Sequence, residues 1–148
     1  MSKNKVVFTL GVFDTFHYGH LKLLERAKFL GDYLVVGVVS DEAVKKQKGE
    51  NRPIINQTHR YAIVDSLKCV NATVFCKSFN PIKEFNDIYF TCNKIDIIVK
   101  GEDQEHLDYT EIIQKYPNVV VVTLGRTPDV SSSKIIEKIG GLENVSNK

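Results

Sequence analysis

Apolar residues along the chain fall in short runs, and amphipathic or polar stretches separate them. Lys5 to Gly11 and Tyr33 to Val39 each have the length and content of a buried strand. Between them Leu21, Leu23, Leu24, Ala27 and Leu30 form one apolar face, while Lys22, Glu25, Arg26 and Lys28 form a wet one. That spacing predicts a helix, with Gly31 closing it as a C-terminal glycine does. A strand, helix and strand of this length must lie with their strands parallel.

The alternation continues. Asp41 is the expected cap of a short helix through Lys46, followed by a polar loop from Lys48 to Pro53. A helix is expected over Thr58 to Leu67, with Tyr61, Ile63, Val64 and Leu67 on its buried side. Val70 to Phe75 reads as strand, Ile82 to Phe90 as helix, Ile95 to Val99 as strand and Glu105 to Lys115 as helix. Val119 to Leu124 suits a strand buried on both faces. The last helix is expected from Ser132 to near Gly140-Gly141, with a frayed tail over 140–148. The fold class is therefore α/β: a single Rossmann-like domain over 1–148, core about 5–139, with a mostly parallel, doubly wound sheet. In such sheets ligands bind beyond the carboxyl ends of the strands, where the strand order reverses.

Composition narrows the function classes. At 148 residues, 43% hydrophobic and 26% charged, the chain suits one ordinary globular core. A net charge of +2 is too even for a dedicated nucleic-acid binder. No apolar run reaches the length of a membrane span, and the first residues lack the apolar segment of a signal peptide, so no membrane partner and a cytoplasmic location are expected. Cys69, Cys76 and Cys92 form no C-x-x-C pair, which argues against both a zinc knuckle and a disulfide framework.

The chemistry gathers in the loops after the strands. The first reads Gly11-Val-Phe-Asp-Thr-Phe-His17-Tyr-Gly-His20, with two histidines three residues apart where a helix begins. A helix N-terminus offers unpaired N–H groups and partial positive charge to phosphate, and two imidazoles add donors. The plainer alternative has His17 capping the helix and His20 packing against the sheet. The last loop, Gly125-Arg126-Thr127-Pro-Asp-Val-Ser131-Ser132-Ser133-Lys134, again follows a strand and opens a helix, adding a forked cation and hydroxyls. After the second strand come Lys45, Lys46, Lys48 and Arg52; after the fourth, Lys100-Gly101-Glu102-Asp103-Gln104.

The first and last of these loops resemble the cytidylyltransferase family of nucleotidyltransferases, whose H-x-G-H follows G-x-F-D and whose R-T-x-G-I-S-T-T stands where Arg126-Thr-Pro-Asp-Val-Ser-Ser-Ser133 stands here. Leu23 to Val36 is most similar to the glycerol-3-phosphate enzymes of that family. The resemblance implies a homodimer that transfers CMP from CTP to a small phosphorylated alcohol, glycerol 3-phosphate, with Mg²⁺ accompanying the triphosphate and pyrophosphate leaving. It implies catalytic roles for His17, His20, Lys46 and Arg126. Val12, Phe13, Asp14, Lys48, Gly101, Asp103, Thr127, Val130, Ser131 and Ser132 would bind the nucleotide, Asp14 also organising the metal, while Lys46, Arg60 and Lys68 would bind the acceptor. Lys68 replaces an arginine of the glycerol-phosphate enzymes, and Asp129 replaces the glycine of R-T-x-G.

The middle of the chain leans elsewhere. Val44 to Ile54 and Val99 to Asp103 resemble adenylyltransferases acting on heptose 1-phosphate, and Ser131 to Ile136 is similar to archaeal FAD synthetases. ATP with a sugar phosphate or with FMN is thus the alternative, and an inactive nucleotide-binding module a second one. Intact His17, His20 and Arg126 argue against the latter. The H-x-G-H loop is also similar to that of class I aminoacyl-tRNA synthetases, but the chain is too short and lacks their lysine-serine-lysine loop.

Overall fold

The apolar runs pair side by side; Val6–Gly11 and Leu34–Val39 at the centre are buried on both faces, whereas Val120–Leu124, expected to be so, lies at an edge and is partly exposed. The computed structural model describes residues 4–104, 106–128 and 131–146, the side chains of 142–146 excepted. Its central strand is β1 (Val6–Gly11). On one side lie β2 (Tyr33–Val39) and β3 (Ala72–Cys76), and on the other β4 (Ile97–Gly101) and β5 (Val120–Leu124). The order is β3-β2-β1-β4-β5 and every pairing is parallel. The connections are α1 (Tyr18–Phe29), α2 (Asp41–Lys48) with α3 (Gln57–Asp65), α4 (Ile82–Cys92) and α5 (Thr110–Lys115), and α6 (Ser132–Ser146) follows β5.

Strand alternation divides the core into two layers. Val6, Phe8 and Leu10 of β1 and Val35 and Val39 of β2 pack with Phe85, Ile88 and Ile112 from α4 and α5. Val7, Leu34, Val36 and Val38 pack on the opposite face with Leu24 and Ala27 of α1 and Val64 of α3. Each such large side chain contributes about 1.5–3 kcal/mol when fully buried. No helix among the described residues is long and apolar enough to cross a membrane, and all three cysteines are free thiols.

The strand order reverses between β1 and β4, and there the sheet parts. Their pairing ends at Thr9 opposite Val99. The Gln104 side chain bridges the gap, accepting from the Gly101 N–H at 2.8 Å and donating to the Leu10 carbonyl at 3.2 Å.

Local details depart from the sequence pattern for physical reasons. α1 ends on Leu30, not in a glycine turn, and Gly31 is needed for space instead: a Cβ there would lie 2.6 Å from Val7 Cγ2 and 2.8 Å from the Lys5 carbonyl oxygen. Ser40, not Asp41, caps α2, accepting from the Ala43 N–H, and α2 runs on to Lys48 before Gly49 ends it at φ 99°. Helix α5 starts only at Thr110, because the residues after Gly101 turn back to let Gln104 bridge the strands; Glu105 lies outside the described residues. Helix α6 continues through Gly140 and Gly141 to Ser146, where fraying was expected; a glycine costs a helix only about 1 kcal/mol. Residues 147–148 lie outside the described residues.

Gly37 offers a check on this packing. A Cβ there would lie 2.6 Å from Cys76 Sγ and 3.0 Å from Leu10 Cδ1. Gly37→Ala is expected to cost roughly 1–3 kcal/mol by urea denaturation, and Cys76→Ala in the same chain to recover part of it.

Candidate functional site

A cleft opens where β1 and β4 part, lined from the carboxyl ends of those strands and the loops beyond them. At its base, Phe13 and Thr15 hold positive φ of 57° and 45°, a strain of order 1 kcal/mol or more each. The Phe13 ring folds back beneath Gly11, where a Cβ would meet it at 2.8 Å. Val12, Phe13 and Asp14 all line the cleft.

His17 and His20 form a reciprocal cap at the start of α1. The Gly19 N–H donates to His17 Nδ1 at 3.0 Å, and the His17 N–H donates to His20 Nδ1 at 3.2 Å. Because both Nδ1 atoms accept, each neutral imidazole carries its proton on Nε2. Capping and cleft-lining are therefore not alternatives: the cap fixes the tautomer that leaves a donor for a ligand. The rings stack at 3.8 Å, and Phe13 and Phe16 flank His20. Burial, then the neighbouring His17 and Lys48, push His20 down to about 3. Burial and Arg126 lower His17, with Asp103 opposing. No acidic residue stands in the first turn of α1 to compete for an anion.

The final loop closes the cleft from the β5 side. The Ser131 hydroxyl accepts from the Lys134 N–H at 3.0 Å and so caps α6. Ser132 Oγ donates to the Asp14 carbonyl. The Arg126 N–H donates to Glu102 Oε1 at 2.8 Å, and Arg26 of α1 donates to the Gly125 carbonyl at 2.8 Å. Arg126, Thr127, Ser131, Ser132 and Ser133 face the cleft, as do Gly101 and Asp103. Val130 and Asp129 lie outside the described residues.

The cationic residues separate sharply. Lys48 lines the cleft; it is exposed as a whole residue, yet the protein around its ammonium, then Arg52, lowers its pKa. Lys46 does not join it. Both residues sit on α2, where two positions are about 200° apart, and Lys46 faces solvent beside Glu42 at 3.5 Å. Arg60 is fully buried and not open to an acceptor. Its guanidinium donates to the carbonyls of Ile55, Val12 and Val39 and to Asp41 at 2.7–2.8 Å. Lys68 lies at the other end of the sheet: Asn71, three residues on, bonds Leu34 at the start of β2. Helix α3 runs from the cleft end to that far end, which carries Lys68 away.

Several cleft residues escaped the sequence reading: Arg26, Phe79 and His106, with Arg52 and Gln104 noticed only as members of their loops. His106 packs edge-on to Phe79 at 4.8 Å, and burial and Lys48 lower its pKa. Its only signal was its nearness to Asp103, hidden by the helix expected there.

The expected magnesium ion finds no ready-made protein cage. Among the described residues no group of three His, Cys, Asp or Glu side chains converges. Asp14 Oδ1 accepts from the Thr15 and Ile55 N–H groups and Oδ2 from the Ile54 N–H, so backbone amides already engage this carboxylate. Asp103 faces the cleft and accepts no hydrogen bond from the described residues. That donor set suits an ion held mainly by substrate phosphates, with one carboxylate available.

Two outcomes follow from this arrangement. His20 binds a proton more readily unfolded, near 6.5, than folded, so its contribution is complete above that value and declines as pH falls toward 3. His20→Asn, whose Oδ1 can keep the cap, should flatten the wild-type loss of urea stability between pH 7 and 4.5, by of order 2 kcal/mol. Arg60→Leu strands Asp41 and three carbonyls and is expected to destabilise by about 3–5 kcal/mol in the same measurement.

The site stands among known relatives. A family model described as Cytidylyltransferase-like matches residues 8–138. The chain is 38% identical over 144 residues to "Bifunctional protein HldE" of Helicobacter pylori strain P12, covering 97% of this chain and 30% of that protein. It is 39% identical over 137 residues to the HldE protein of Citrifermentans bemidjiense, covering 91% and 27%. The chain thus spans less than a third of the length of these curated relatives. A solved lipopolysaccharide core biosynthesis protein from Thermoplasma volcanium superposes with TM-score 0.64 at 28% identity, covering 84% of this chain and 98% of that one. Pantoate-beta-alanine ligase from Francisella tularensis, at 14% identity and TM-score 0.57 over 91% of this chain and 69% of its own, shares the fold. With both signature loops meeting in one cleft, the chain belongs to the cytidylyltransferase-like family of nucleotidyltransferases.

Proposed function

We propose that this chain transfers an adenylyl group from ATP to the phosphate of a phosphorylated sugar, a heptose 1-phosphate being the acceptor class, and releases pyrophosphate. The observation that carries transfer chemistry is the convergence, in one cleft, of two neutral imidazoles with Nε2 protonated, Arg126 with the start of α6, and Lys48. ATP and a sugar phosphate are supported by the middle segments, Val44 to Ile54 and Val99 to Asp103, and by the HldE and lipopolysaccharide-core relatives. CMP transfer from CTP to glycerol 3-phosphate is the second reading, favoured by Leu23 to Val36.

The chemistry follows from charge. A phosphate monoester is already an anionic nucleophile at neutral pH, so no base is required. One of its oxygens attacks the α-phosphorus, the bond from that phosphorus to the bridging oxygen breaks, and pyrophosphate leaves with the electron pair. Repulsion between the two anions is the main barrier. His17 and His20 donate to phosphoryl oxygens as charge develops, Arg126 and the α6 start hold the triphosphate, and Lys48 draws the two anions together. Magnesium, held by triphosphate oxygens with Asp103 available, would neutralise charge on the leaving group.

The test is pyrophosphate release with Mg²⁺, crossing ATP and CTP against heptose 1-phosphate, glycerol 3-phosphate and flavin mononucleotide. Turnover with ATP and the sugar phosphate is expected. Turnover confined to CTP and glycerol 3-phosphate would transfer the assignment to the second reading, and nucleotide binding without any turnover would leave a binding module. His17→Asn should lower kcat by about 10²–10³ with a much smaller change in KM.

A further inference from the structure

We infer that Arg52 receives the phosphate of the acceptor, with Lys48 as its partner, an assignment that deepens the transfer reading and rests on it. Two arginines eight positions apart carry the contrast. Arg60 is fully buried and uses four of its five N–H donors on three carbonyls and a carboxylate. Arg52 lines the cleft with a side chain only 19% exposed, and its buried Nε finds no hydrogen-bond partner. Its guanidinium donates to no described residue. Desolvating a guanidinium without giving it an acceptor is costly, so such a group points to a ligand that supplies one.

What holds Arg52 in place is charge, not a hydrogen bond. Its Nε lies 3.7 Å from Asp14 Oδ2, close enough for attraction but too far to satisfy the donor. Asp14 is meanwhile bonded to three backbone amides. Lys48 approaches the same space, and Arg52 is the charged neighbour that most disfavours its protonation. Two cations on the same side of the cleft, one of them with five uncommitted donors, form a site that an anion completes. An incoming phosphate would relieve their repulsion and favour the charged form of Lys48.

Position selects the acceptor over the triphosphate. Lys48, at the end of α2, and Arg52, on the segment between α2 and α3, enter the cleft from the β2 side. The anion-binding groups of the triphosphate reading, Arg126 and the start of α6, enter from the β5 side, with the histidines between. In-line attack requires the nucleophile opposite the leaving pyrophosphate. A phosphate held by Arg52 and Lys48 stands on that opposite side, and Lys48 is near enough to His20 to be felt by it.

Arg52→Gln and Arg52→Lys test this in the same assay as the wild type. Arg52→Gln is expected to raise the acceptor KM at least tenfold and leave the nucleotide KM within twofold. Arg52→Lys should recover part of the loss, since it keeps the charge without the fork. A raised nucleotide KM with an unchanged acceptor KM, or no change in either, overturns the assignment. Fold retention is checked by thermal unfolding, and calorimetric titration with inorganic phosphate in the presence of a non-hydrolysable nucleotide supplies a readout independent of turnover. Wild-type protein inactive with every acceptor would sink the transfer reading alone. The titration would then still decide Arg52: phosphate bound by wild type and lost in Arg52→Gln supports it, equal behaviour of the two overturns it.

Discussion

The Asp14 carboxylate is the tie on which the cleft depends. It is 2% exposed and accepts from Thr15, Ile54 and Ile55, fastening the loop after β1 to the loop between α2 and α3. Its own carbonyl accepts from Ser132, fastening the start of α6. Hydrogen bonds to a charged group contribute about 1.5–3 kcal/mol each, enough to offset the positive φ values on either side at Phe13 and Thr15. Three segments distant in sequence are thereby held around one volume, and each brings polar or cationic side chains to the cleft, His17 and His20, Arg52, and Ser131 and Ser132.

Charge is distributed in that volume so that little of it is cancelled before a ligand arrives. The histidines are kept neutral by burial and by their cationic neighbours, and their cap leaves Nε2–H free to donate. Permanent charge is placed at the two sides, Arg126 on one and Lys48 with Arg52 on the other. A carboxylate able to neutralise Arg52 is present but already bonded to amides. Under the proposed transfer reaction this arrangement would hold two anions that repel each other and supply donors where charge builds, without reorganising at the moment of reaction.

Structural and functional roles coincide at the histidines and separate at the arginines. His17 and His20 cap α1 and serve the cleft with different nitrogens of the same rings. Arg60 and Arg52 belong to neighbouring segments, yet one is a strut beneath the site and the other opens into it. Residue type alone does not distinguish them, because both look from sequence like cations beside a ligand loop.

The sequence by itself determined the alternation of strands and helices, hence the parallel sheet, and it placed Gly11 to His20 and Arg126 to Ser133 at the strand ends that line the cleft. Those features are local: apolar runs of strand length, an amphipathic period, and N-terminal turns rich in His, Ser and Gly. Only the tertiary structure decided which cations face the cleft. Extending α2 to Lys48 turned Lys46 outward, and the direction of α3 carried Lys68 to the opposite end of the sheet. The carbonyls exposed beneath the loops absorbed Arg60. Gln104 was drawn to the gap between β1 and β4, which shortened α5 and left His106 at the cleft. Such outcomes depend on unpaired backbone groups and helix phase across 40 or more residues, and no periodicity in the chain records them.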